Sequence, residues 1–178
     1  MGGQFVVPEV VASHFHLKSG DVVADYGAGS GFFLPILSQA VGDTGRVYAC
    51  EIQKGLVDRL ADLIRIKKLD NTQPVWCDLE TPGGIKLPDG VLDVAFVINT
   101  LFQFESRDVA MKEIIRTIRR GGQLVIIDWT ESFSGMGPHP DHIVTQDTAV
   151  ALCESLGCTS VREFPAGDHH YGIVMRVV

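Results

Sequence analysis

Short apolar runs suited to buried strands recur along the chain at Val22 to Asp25, Arg46 to Glu51, Pro74 to Cys77, Leu92 to Asn99 and Gln123 to Asp128. Between most of them apolar residues fall three and four positions apart, the spacing of one helix face. Strands that alternate with helices predict an α/β fold, a parallel sheet with helices on both faces. The clearest helix follows the second strand, with Leu56, Val57, Leu60, Leu63 and Ile64 on one stripe and Lys54, Asp58, Arg65 and Lys68 pointing elsewhere. A second starts at Ser106, whose hydroxyl can cap free amide groups, and is expected to run to Arg119, Arg120 and a stop at Gly121. Its basic last turn suits the helix dipole. A third follows Thr145 and ends at Gly157. Beyond it, Thr159 to Phe164 and Tyr171 to Val178 are strand-like with no helix between them, which predicts an antiparallel pair on the sheet edge.

Length adds one domain over residues 1–178, since 178 residues hold one sizeable core and are too few for two ordinary domains. A hydrophobic fraction of 46% with 21% charged residues is that of a folded globule. No apolar run is long enough for a membrane span, and the first residues lack the basic-then-apolar order of a signal peptide. Met1-Gly2 opens like a myristoylation start, but Val6 stands where Ser or Thr is wanted. The expectation is a cytoplasmic protein. A net charge of -7 opposes binding to phosphate backbones, so nucleic acid is a disfavoured partner. Cys50, Cys77, Cys153 and Cys158 have neither CxxC spacing nor a secreted framework and are expected as reduced thiols, and no spacing suggests a metal site.

The informative stretch is Val22-Val23-Ala24-Asp25-Tyr26-Gly27-Ala28-Gly29-Ser30-Gly31-Phe32-Phe33: a strand, an acid at its end, a glycine loop, then a helix. Glycines remove side chains and allow positive φ, so a ligand can lie directly against the turn. A dinucleotide fingerprint, G-x-G-x-x-G, is the competing reading, but here the third glycine comes one residue early and Phe32 fills its place. Asp25 fits an ammonium group and has no comparable role beside a pyrophosphate. This favours a sulfonium amino acid, S-adenosylmethionine. Glu51 ends the next strand, where a carboxylate can accept ribose hydroxyls. Asp78 follows the third and can accept the adenine amine.

With LKSGDVVADYGAGSGFF, GRVYACE, CDLETPGGIKLPDGVLDVAFVINTLFQF and RRGGQLVIIDW in place, the chain resembles a small class I S-adenosylmethionine-dependent methyltransferase. The similarity is to the broad group that includes the ubiquinone and menaquinone biosynthesis C-methyltransferases and the arsenite methyltransferases. It implies a Rossmann-like, seven-stranded sheet of order 3-2-1-4-5-7-6 with strand seven antiparallel. It also implies that Asp25, Gly27, Ala28, Gly29, Glu51, Ile52, Asp78, Leu79 and Asn99 bind the cofactor.

Methyl transfer from a sulfonium is an in-line displacement on an activated carbon, so such an enzyme mainly aligns the acceptor and excludes water. The resemblance implies an acceptor pocket built from Gln4 to Pro8, from Asn99, Thr100, Gln103 and Phe104, and from Asp128 to His142, a Gly- and Pro-rich loop able to act as a lid. His142 and His170, with Asp128, are the candidate acceptor-side residues, histidine being a base near neutral pH. Asn99-Thr100-Leu101-Phe102 lacks the pattern for exocyclic base nitrogens, and Cys50 and Cys77 do not suit a metalloid. A small apolar or aromatic acceptor is expected. The alternatives are a non-catalytic cofactor-binding or regulatory subunit and, further off, an NAD-dependent oxidoreductase or an RNA methyltransferase.

Overall fold

The computed structural model describes residues 6–133 and 135–178. Helix α1 (Pro8–Ala12) precedes β1 (Val22–Tyr26), and α2 (Leu34–Val41) leads to β2 (Arg46–Glu51). Helix α3 (Lys54–Lys67) joins β2 to β3 (Thr72–Trp76), and α4 (Arg107–Thr117) joins β4 (Leu92–Ile98) to β5 (Ile118–Trp129). Helix α5 (Gln146–Ser155) leads to β6 (Cys158–Gly167), which turns into β7 (His170–Val177). The strands form one sheet in the order β3-β2-β1-β4-β5-β7-β6. Pairings from β3 through β5 are parallel, and β7 runs antiparallel to both β5 and β6. This is the sheet expected from the sequence, with the C-terminal pair in its predicted place.

Alternation along the strands builds two cores. In β5, Leu124 and Ile126 join Tyr26, Ala95, Val97, Met111 and Ile114 on the face covered by α4 and α5. Val125 and Ile127 join Val23, Phe96, Leu34, Leu37 and Phe15 on the other. Central strands buried on both faces read as continuous apolar runs. The two edge strands each carry a proline, Pro74 in β3 and Pro165 in β6, and a missing N–H there opposes pairing with a further strand.

The end of α4 departs from expectation. The helix stops at Thr117, and Arg119 and Arg120 lie in β5, because Ile118 already pairs with Leu92 of β4. Gly121 takes its positive φ of 78° inside the strand, beside the register irregularity, and does not terminate the helix. Arg119 pairs with Asp93 of the neighbouring strand at 2.7 Å. Ser106 is the residue before α4, but its side chain makes no capping bond; its N–H is accepted by Glu80 at 2.5 Å. Thr145 does cap α5, accepting from the Thr148 amide, and Gly157 follows that helix with φ 88°.

Arg116 has a larger task than complementing a dipole. Its guanidinium donates to the carbonyls of Ile85 and Leu87 and to Glu113 and Asp89, tying the loop between β3 and β4 to α4. The Asp89 contact is exposed and contributes little, whereas the two carbonyls and the buried Glu113 lose their partner if the side chain is removed. Arg116→Ala is therefore expected to cost about 2 kcal/mol of stability, measured by denaturant unfolding. An unchanged midpoint would mean that the loop holds itself.

Candidate functional site

Strand β1 ends beside β2 on one side and β4 on the other, so the chain direction of the crossovers reverses at this point and a crevice opens beyond the strand ends. The glycine loop lies there. Gly27, Gly29 and Gly31 all have positive φ, 79°, 54° and 78°, yet each is glycine for a different reason. A Cβ at Gly27 would stand 2.5 Å from the Thr100 hydroxyl, and one at Gly31 would strike Leu63 and Leu60 of α3. At Gly29 a Cβ would meet only the Gly27 carbonyl, at 3.9 Å. Internal packing leaves that space open, and it faces a cavity.

The loop amides are already engaged. Gly27 and Ala28 donate to the Cys50 carbonyl at 2.9 and 3.0 Å, Gly31 donates to Ala28, and Gly29 donates to Oε2 of Glu51 at 3.1 Å. A pyrophosphate needs free N–H groups at such a loop. Here one of them is spent on a carboxylate, which counts against a dinucleotide. Oε1 of Glu51 accepts from the amides of Ile52 and Gln53 at 2.8 and 3.0 Å, so three backbone donors fix this acid at the end of β2.

Asp25 is in a different state. It is only 3% exposed, and its carboxylate accepts no hydrogen bond from the described residues. Burial, and then the charge of Glu51, push its carboxyl up to about 7. A buried carboxylate without donors is costly, and a cation is the partner that relieves it.

The cavity measures about 340 Å³. Gly27, Gly29, Glu51 and Ile52 form one wall, and Leu79 a second. Thr100, Gln103 and Phe104 come from the turn after β4. Of the cofactor residues named from sequence, Asp25, Ala28, Asp78 and Asn99 flank this lining without joining it. Both oxygens of Asp78 accept local donors, the Glu80 amide and the Thr81 hydroxyl, in the turn after β3. Asn99 holds a left-handed φ of 53°, and its Oδ1 is buried without a partner. Gln53, Leu56 and Glu80 also line the cavity and went unrecognised in the sequence. Leu56 carried a signal, but it was read as packing; only Leu60 on that helix is fully buried, which leaves Leu56 at the cavity.

The three acceptor-side candidates do not gather in one wall. His170 is 3% exposed, both of its ring nitrogens lack partners, and its ring tilts against Trp129 with centroids 4.2 Å apart. Burial, and then His169, push its imidazole down to about 4. Asp128 is also buried, but it points to the α4 and α5 face, as do Ile126 before it and its register partner Tyr171. Trp129 and His170, one register step on, face the other way. His142 is exposed, and its ring meets His139 edge-on at 6.0 Å. None of the three lines the 340 Å³ cavity. Gln4 and Phe5, expected at the acceptor side, lie outside the described residues.

Residues 24–126 match a sequence family described as a methyltransferase domain. A ubiquinone/menaquinone biosynthesis C-methyltransferase of Hydrogenovibrio crunogenus is 28% identical over 119 residues, which are 65% of this chain and 44% of that protein. The chain spans about half the length of the curated relatives it matches. A crystal structure of a SAM-dependent methyltransferase from Aquifex aeolicus superposes with a TM-score of 0.89 at 29% identity, covering 98% of this chain and 91% of that one. The geranyl diphosphate C-methyltransferase of Streptomyces coelicolor, solved with S-adenosyl-L-homocysteine, shares the fold at a TM-score of 0.79 and 13% identity, covering 96% of this chain and 78% of that one. A glycine loop open at Gly29, a buried acid behind it and a fixed acid beside it fit S-adenosylmethionine, and the chain belongs to the class I S-adenosylmethionine-dependent methyltransferase family.

Proposed function

We propose that this chain, acting as one domain over residues 1–178, transfers a methyl group from S-adenosylmethionine to a small apolar or aromatic acceptor. The observation that carries the reading is Asp25, a buried acid that accepts no hydrogen bond from the described residues, beside an open glycine turn. S-adenosylmethionine, when bound, supplies a methyl carbon made electrophilic by its sulfonium sulfur. Asp25 holds the ammonium end, with Gly27, Ala28 and Gly29 allowing close approach. Glu51, already oriented by three amides, turns its remaining lone pairs to the ribose. Ile52 and Leu79 form an apolar slot for the base, with Asp78 and Asn99 at its margins.

On the acceptor side, Phe104 and Gln103 exclude water above the cavity, and Trp129 and His170 offer ring faces to an apolar or aromatic molecule. His170 is uncharged at neutral pH and takes a proton from the acceptor at a ring nitrogen. Reaching it requires the strap made of Thr130 to Phe133 and Gly135 to Pro138 to lift. That strap is held by the Thr130 amide on the His169 carbonyl, by Phe133 stacked on His169, and by Gly137 against the Trp129 ring. His142, further along the same segment, enters as an outer residue. No comparable support exists for an NAD-dependent reaction, because the loop amides at 27, 28, 29 and 31 already have acceptors.

Incubation with methyl-labelled S-adenosylmethionine and a small-molecule extract, followed by mass spectrometry, is expected to yield a labelled small molecule. His170→Gln should lower its rate of formation by about 100-fold. Cofactor binding with no labelled product from any extract would favour the regulatory-subunit alternative. Asp25→Asn provides a sharper pair of signs. Removing a buried, uncompensated charge should raise the melting temperature of the free protein at pH 8, a gain that shrinks as pH falls below about 7 and the native side chain becomes neutral. The same change should weaken binding of S-adenosylmethionine by roughly 10- to 100-fold. A variant that is less stable and binds normally would refute this role for Asp25.

A further inference from the structure

We propose that Asp128 is a positioning residue for the cofactor pocket, acting through the turn Leu101–Gln103. The inference rests on reading the 340 Å³ cavity as the cofactor site. Two segments meet at this carboxylate. Oδ1 accepts from the Trp129 amide at 2.8 Å and Oδ2 from the Phe102 amide at 3.2 Å, so one side chain joins the end of β5 to the middle of the turn after β4.

The turn it holds is fixed at its start by the Asn99 amide on the Ile127 carbonyl and by the buried side chain of Leu101, and Asp128 holds its middle. Thr100, Gln103 and Phe104 line the cavity from it. Its own bonds are short-range: Thr100 to the Ile98 carbonyl, the Gln103 amide to Thr100, and the Gln103 side chain to Asn99. Thr100 also sets the width of the pocket at the glycine loop, because its side chain occupies the space that a Cβ on Gly27 would need. Movement of the turn therefore changes the site on two sides at once. A carboxylate suits the position because converging N–H donors face acceptors on both oxygens. An amide would set its own NH2 against one of them.

The charged and titratable groups facing Asp128 are Arg107 at the start of α4 and Tyr171 on β7, with Cys153 of α5 beyond Tyr171. Arg107 Nε and the Tyr171 hydroxyl are buried without partners, so neither is the bond that fixes the carboxylate. Burial raises the Asp128 carboxyl to about 6, against the pull of the amides and of Arg107. Burial holds the Cys153 thiol and the Tyr171 hydroxyl well above that range, so of these three acids Asp128 is the one that titrates near pH 6.

The test pairs Asp128→Asn with Tyr171→Phe, each titrated with S-adenosylhomocysteine and followed by amide NMR. Asp128→Asn is expected to bind about tenfold more weakly, with the Phe102, Gln103 and Phe104 amide resonances displaced. Tyr171→Phe, which alters the same buried cluster without touching either amide bond, should bind as the native protein does. Equal loss in both variants would make Asp128 an ordinary buried group and overturn the proposal, as would native affinity in Asp128→Asn. If that variant does not fold, the native protein decides. Its Phe102 and Trp129 amide protons should titrate together near pH 6, and amides that stay fixed through that range overturn the proposal. Native protein that fails to bind S-adenosylhomocysteine at all would instead reject the cofactor reading.

Discussion

Burying Asp25 with no hydrogen-bond donor among the described residues sets a constraint that the surrounding structure has to absorb. The acid sits at the end of a strand with neighbours on both sides, and Glu51, its nearest charged partner, has the same sign. Such a pair is tolerated because Glu51 is satisfied by three amides from two segments, the glycine loop and the start of the chain into α3. One carboxylate is thus fixed and quiet, while the other is left in need of a cation. The glycine loop links the two, since Gly29 donates to Glu51 and leaves open space on its own Cα.

The rest of the fold brings these groups together. Parallel strands deliver their carboxyl ends to one rim, so Asp25, Glu51, Asn99 and Trp129, which are far apart in the chain, arrive at neighbouring positions. The sheet also sorts the last two residues of β5. Because side chains alternate, Asp128 and Trp129 point to opposite faces: one accepts from the Phe102 amide in the turn beside the cavity, the other packs its ring against His170. Gly137 packs against the Trp129 ring, and Trp129 in turn packs against the buried His170.

Much of this was legible in the sequence because it arises from local chemistry. Short continuous apolar runs placed the strands, and β2 was read with both ends correct. The acid and glycine spacing located the crevice. The features that escaped depend on tertiary register. Arg119 and Arg120 looked like a helix end, and only the pairing of Ile118 with Leu92 puts them in a strand. Ser106 had the composition of a cap, but the loop after β3 brings Glu80 to the same amide. Asp128 looked like a companion of His170 because the two lie near one rim, and spacing along separate strands cannot show that they face apart. Leu56 was counted as core because the helical stripe does not reveal where the sheet stops covering it.

The central claim is that Asp25 in the free protein shares a proton near neutrality and gives it up to a cation. Calorimetric titration with S-adenosylmethionine at pH 7, in two buffers of very different ionisation enthalpy, tests it directly. The account predicts release of roughly half a proton per cofactor bound, absent in Asp25→Asn. Binding enthalpies that agree between the buffers, or that show proton uptake, would contradict it.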